Sequence, residues 1–149
     1  MTSKASTPIK LGDVVAVYGI DVPARLTTVV TAIEESRRLL KLGDDWDENG
    51  TPGFTEQTWN RAASLLVCFA IALASNHGAI PEDFEILPGS NGGLDVDVRS
   101  DDRQLLFVVP ADPQKEARFY GDDGNGGRQI KATLDSSKVP DWLSMWMAE

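Results

Sequence analysis

The sequence predicts an α+β fold in two layers: an antiparallel meander of four or five strands packed against two N-terminal helices, with a short C-terminal helix. Three observations carry this. Apolar residues recur at helical spacing from Leu26 to Leu40 and then run almost unbroken from Ala62 to Ala74. Strand-like segments separated by Asn-, Asp- and Gly-containing turns fill the chain from Phe84 to Leu134. No repeat or linker divides the 149 residues, a length that suits one domain.

Residues 1–8 are polar and read as a disordered lead-in, leaving 9–149 as a single domain. Val14-Val15-Ala16-Val17-Tyr18 has the β-branched composition of a short strand. Asp21 and then Pro23 mark a helix start, because proline's missing N–H costs nothing in a first turn. Leu26, Val29, Val30, Ile33 and Leu40 then share one face, with Glu34, Glu35, Arg37, Arg38 and Lys41 turned away from it. An acidic loop follows over 43–53. Thr55 is the natural N-cap of the second helix, with Phe54 and Trp59 spaced as a hydrophobic staple. From Ala62 to Ala74 that helix is apolar all round except for Ser64, so it belongs against more than one neighbour, and Gly78 ends it.

Phe84-Glu85-Ile86-Leu87 opens the meander, and Asn91-Gly92 is a strong hairpin signal. Leu94, Val96 and Val98 alternate with Asp95, Asp97 and Arg99, as in a strand with one wet face. Leu105 to Val109 is a continuous apolar run suited to a central strand. Residues 117–120 and 129–134 supply the last two strands, joined by a glycine-rich tip over 121–127. After Pro140, Asp141 to Met147 has helical amphipathic spacing.

The charge narrows the partners. Fourteen basic against 23 acidic residues give a net charge of −9, which is repelled by phosphate backbones and anionic lipid surfaces. Nucleic acid and membrane are therefore unexpected partners, and a basic protein surface is the expected one. The N-terminus lacks the apolar core of a signal peptide, and the run from Leu65 to Ala74 is shorter than the ~20 residues a bilayer takes, so a soluble cytoplasmic protein is expected. Cys68 is the single cysteine; its apolar neighbours predict a buried, inert thiol. His77, the single histidine, falls where it caps the end of the long helix. No phosphate loop, serine elbow or dinucleotide fingerprint is present, so no catalytic residues are assigned and a non-enzymatic protein is expected. Asp95 and Asp97 are a carboxylate pair on a wet strand face, where solvation is the usual fate.

One loop carries a metal hypothesis. Asp45, Asp47, Asn49, Gly50 and Glu56 satisfy the calcium-loop spacing D-x-D-x-N-G-x5-E, in which alternate oxygens converge and glycine permits the turn. Pro52 stands where such loops place an aliphatic residue, and no second copy of the motif accompanies it. The competing reading is an acidic connection in which Trp46 tucks into the core and Asp47 caps its own turn. The same residues, Leu42 to Pro52, resemble the "GWDGxGAxP" signature of a group of small uncharacterised bacterial proteins. Ile86 to Val96 is similar to their "PxxDGGIxLEW" hairpin. Here Asp45 replaces the first glycine, Glu48 the second and Thr51 the alanine. The resemblance, over roughly 39–109, implies a fold and no activity. It also weighs against calcium, since such relatives would keep the tryptophan and lose several ligands.

The function expected from these residues is an acidic protein-binding module of antitoxin, immunity or inhibitor type, with a calcium-binding module as the alternative. Asp95 and Asp97 would steer a basic partner, and Trp46, Trp142 and Trp146 would supply apolar anchors, the last two either closing the core or meeting a partner. A second copy of the chain is the other partner the sequence admits.

Overall fold

The computed structural model of the protein describes residues 14–17, 20–23, 26–78, 83–124, 129–134 and 139–148. The expected lead-in over 1–8 and the glycine-rich tip beyond Gly124 lie outside them.

Strands β1 (Val14–Val17) and β2 (Ile20–Pro23) pair antiparallel as a separate two-stranded ribbon. The expected helix start at Asp21 and Pro23 is thus corrected: these residues belong to β2, and helix α1 runs over Thr27–Glu35. Pro23 is compatible with β2 because a terminal residue of an edge strand need not donate to the ladder. After Glu35 the chain tightens into a 3-10 segment, Ser36–Lys41. With three residues per turn, burial moves from the expected Leu40 to Ser36 and Leu39, in step with Ile33. The Ser36 hydroxyl donates to the Ile33 carbonyl and accepts the indole N–H of Trp59 at 2.7 Å, tying α1 to the next helix.

That helix, α2 (Glu56–His77), starts as the sequence indicates, with the Thr58 amide donating to Thr55 Oγ1 at 3.2 Å, and ends at Gly78 in the left-handed conformation. By length and composition it is apolar enough to cross a membrane, but most of it is buried inside the fold. Its buried residues cover more than one side. Between its exposed ends, a strip through Ser64, Cys68, Ile71, Ala72 and Ser75 is the part turned outward.

The five-stranded antiparallel sheet has the simple order β3 (Asp83–Pro88), β4 (Leu94–Arg99), β5 (Gln104–Val109), β6 (Arg118–Asp122) and β7 (Gln129–Thr133). Asn91 and Gly92 both take positive φ in the first hairpin, the backbone that an Asn-Gly pair favours. One sheet face carries Phe84, Ile86, Val96, Val98, Leu105, Phe107 and Phe119, all buried. Phe69 of α2 meets Phe107 edge-on at 5.4 Å, and Phe107 meets Phe119 at 6.5 Å. Helix α3 (Asp141–Ala148) lies over the same face, where Trp146 occupies the space above Gly121; a Cβ there would stand 2.8 Å from its ring. Among the described residues, the helices cover one face and leave the other open.

Candidate functional site

The open face is built by the alternate residues of the five strands, and the register arranges them in three rows. The central row is Glu85, Asp97, Leu106, Tyr120 and Lys131, from β3 across to β7. On one side of it run Leu87, Asp95, Val108, Arg118 and Thr133; on the other run Asp83, Arg99, Gln104, Asp122 and Gln129. Carboxylates predominate on β3 and β4, uncharged Gln104, Leu106 and Val108 occupy β5, β6 carries Arg118 and Asp122 at its two ends, and Lys131 places positive charge on β7. Tyr120 is 41% exposed, so the centre of the face is open to solvent. Two hollows indent it. One, of about 460 Å³, lies over β5–β7 against Leu106, Tyr120 and Lys131; the other, of about 380 Å³, lies at the opposite corner against Asp95, Val108 and Arg118.

Asp95 and Asp97, expected on a wet strand face, are drier than that. Asp97 is only 6% exposed, because Arg99 Nε donates to it at 2.9 Å and Gln104 Nε2 at 3.1 Å from the two sides. Asp95 is half-buried, and its carboxylate sits where a Cβ on Gly89 would approach to 2.8 Å. Burial, and after it the neighbouring Asp97 charge, raise the Asp95 pKa above the usual carboxylate value. A raised folded-state pKa means that ionised Asp95 opposes folding at neutral pH, and that the penalty is relieved as pH falls through that pKa. Asp95→Asn is therefore expected to raise the urea midpoint at pH 7, with the gain shrinking to nothing below about pH 4.

The acidic loop holds itself together. Asp45 Oδ1 accepts the Gly50 amide at 2.7 Å, and Asp44 Oδ1 accepts the Gly53 amide at 2.9 Å. Asp47 Oδ1 accepts the amides of Asn49 and Thr51, and its Oδ2 accepts the Thr51 hydroxyl. These bonds, the Thr51 hydroxyl first, hold the Asp47 carboxyl below the usual range. The backbone N–H of Asn49 bonds back to Asp47 and Glu56 opens α2, and no group of three or more His, Cys, Asp or Glu among the described residues is placed to hold a metal. With its carboxylates bonded to loop amides, the turn is expected to keep its melting temperature when EDTA is replaced by millimolar calcium. A cation bound at a hundred times its dissociation constant would instead add about 2.7 kcal/mol.

Asp45 and Glu48, the two residues standing in place of glycines in the resembling signature, both have positive φ, 62° and 63°. Left-handed backbone costs an L residue such as glutamate about 1–2 kcal/mol, and glycine almost nothing. Glu48→Gly is accordingly expected to stabilise the protein by about 1 kcal/mol in urea denaturation, offset in part by the extra freedom of the unfolded chain.

The remaining candidates scatter. Trp46 is half-buried against Phe54, with ring centroids 5.7 Å apart. Trp146 is a core residue, 6% exposed with the Arg103 guanidinium 4.9 Å above its ring, whereas Trp142 is 48% exposed and meets Phe119 edge-on. Both lie on the helix side, so they share no surface with Asp95 and Asp97. Cys68, expected to be buried, is exposed on the outward strip of α2; partial desolvation still pushes its thiol up, away from the reactive thiolate. His77 Nε2 lies 3.3 Å from Ser144 Oγ, but that hydroxyl is buried and donates to the Asp141 carbonyl. The sequence reading missed Leu106, Val108, Arg118, Tyr120 and Lys131. Their signal was the period-two alternation of β6 and β7 read together with β5.

Comparison of the chain with protein-family models, curated proteins and solved structures finds no match.

Proposed function

We propose that the chain is a non-enzymatic, acidic binding module of the cytoplasm, of antitoxin, immunity or inhibitor type. Its open sheet face docks a basic protein surface. The supporting observation is the acidic flank of that face: exposed Asp83 and Glu85 and half-buried Asp95 stand on two adjacent strands beside a half-exposed apolar centre, while buried Asp97 is paired with Arg99 beneath them. Strands fix such groups in place before a partner arrives, which lowers the ordering cost of association. The net charge of −9 steers a basic partner from a distance, and Leu106, Val108 and Tyr120 supply apolar area at contact. Trp142 offers a separate contact on the helix side.

The test is affinity purification of the tagged chain from its source cells at low and high salt, beside the charge-reversed Asp83→Lys/Glu85→Lys variant. A stoichiometric basic partner, released by salt and absent from the variant, is the expected result. A source-cell preparation that yields no such partner removes the reading.

A further inference from the structure

We propose that a second copy of this chain packs against the open sheet face through a two-fold axis parallel to β5. The proposal goes beyond the binding reading, since a second copy of this acidic chain would compete with a basic partner for the same face.

The argument is the charge order across the strands. A two-fold axis lying in the interface along β5 sets each strand of one copy opposite its mirror position in the other: β4 meets β6, and β3 meets β7. In the first outer row Asp95 then faces Arg118, and in the other Arg99 faces Asp122. In the central row Glu85 faces Lys131, and the Tyr120 hydroxyl lies opposite Asp97, whose carboxylate is already bonded to Arg99 and Gln104 of its own sheet. The residues on the axis, Gln104, Leu106 and Val108, meet themselves and are uncharged. Every charged side chain in these pairings meets an opposite charge or a hydrogen-bond donor, and symmetry doubles each pair.

The perpendicular axis fails the same test. It pairs Asp95 with Arg99 and Arg118 with Asp122 in the outer rows, but in the central row it sets exposed Glu85 against Glu85 and Lys131 against Lys131, and like charges directly opposed are costly. Both axes keep the two strand sets aligned, as sheets that pack face to face commonly are, so the charge pairing selects the axis along β5.

Area sets the strength. Five strands about 4.8 Å apart and some six residues long present a plane of about 24 by 20 Å. Two such planes reach only the lower end of specific interfaces, so the dimer is reversible and concentration-dependent. The net charge of −9 on each copy opposes association at long range, which further limits its affinity.

Sedimentation velocity on the purified full chain, from about 1 µM to about 1 mM, reads the equilibrium directly. The wild type is expected to pass from monomer to dimer over this range. Lys131→Glu and Glu85→Lys, both at exposed positions, are each expected to weaken the dimer about tenfold or more, because each sets like charges opposite one another twice. An equimolar mixture of the two variants restores both pairs and so recovers association, as does the double variant Glu85→Lys/Lys131→Glu. The two single changes move the net charge in opposite directions, so non-specific repulsion cannot explain weakening by both. A chain that stays monomeric throughout, a Glu85→Lys variant that associates more tightly, or single variants that leave the dimer intact would each overturn the proposal. None of these results depends on whether a basic partner is recovered from cells.

Discussion

Replacing Phe107 with alanine is expected to cost about 3–5 kcal/mol of folding stability, the range for removing a fully buried aromatic ring. Phe107 sits on the central strand of the sheet, is wholly buried, and makes edge-on contacts with Phe69 of α2 on one side and Phe119 of β6 on the other. Each such ring pair adds about 0.5–1.5 kcal/mol beyond the area it buries. No neighbour can close the space, because β5 is fixed by ladders to β4 and β6 and α2 is held by its own broad burial. For a domain whose whole stability is about 5–15 kcal/mol, this is a large fraction. Urea denaturation followed by circular dichroism measures it; Phe107→Leu, which refills most of the volume, should lose far less. A loss below about 1 kcal/mol for the alanine variant would show that the helix and sheet are not packed through this ring.

Trp59→Ala is expected to have an effect of the same size, about 3–5 kcal/mol, for a different reason. Trp59 is fully buried in the first turn of α2, its indole N–H bonded to Ser36 Oγ and its ring under the Arg37 guanidinium at 4.4 Å. It therefore locks the 3-10 segment after α1 to the start of α2. Trp59→Phe separates the contributions: it keeps most of the apolar volume and loses the hydrogen bond, worth about 1 kcal/mol, together with a smaller packing loss. Ser36 keeps its bond to the Ile33 carbonyl in both variants, so Ser36→Ala in the Trp59→Phe background should cost only that bond, about 1 kcal/mol. A larger loss would mean that Ser36 acts through a further contact.

The strands were readable because local signals agreed with tertiary ones. Asn91-Gly92 takes the backbone its composition favours, and the alternation of β4 gives its inner face correctly. The start of the long helix was readable from Thr55 and its end from Gly78, since a cap satisfies orphan backbone groups locally. Elsewhere the deciding forces were not local. Pro23 fits a helix start and a strand end equally well, and only pairing with β1 selects the second. At Ser36, where α gives way to 3-10 geometry, the side chain is bonded to Trp59, 23 residues away. Leu106 and Val108 read as core because apolar runs mark doubly covered strands, yet no signal within β5 says that helices cover only one face. The candidate face itself became visible only when the register set Glu85, Asp97, Leu106, Tyr120 and Lys131 in one line.

The order of elements along the chain bears on how the protein is made. Helix α2 precedes every strand of the sheet that covers it, so during synthesis its sheet-facing greasy surface leaves the ribosome before that cover exists. At 5–20 residues per second, the interval between the end of this helix at residue 77 and the end of β5 at residue 109 lasts about 2–6 s. Nascent-chain collapse takes microseconds, so throughout that window the segment is a natural client for a holding chaperone. Since each later strand pairs with the one made just before it, the shelter assembles hairpin by hairpin in the order of translation.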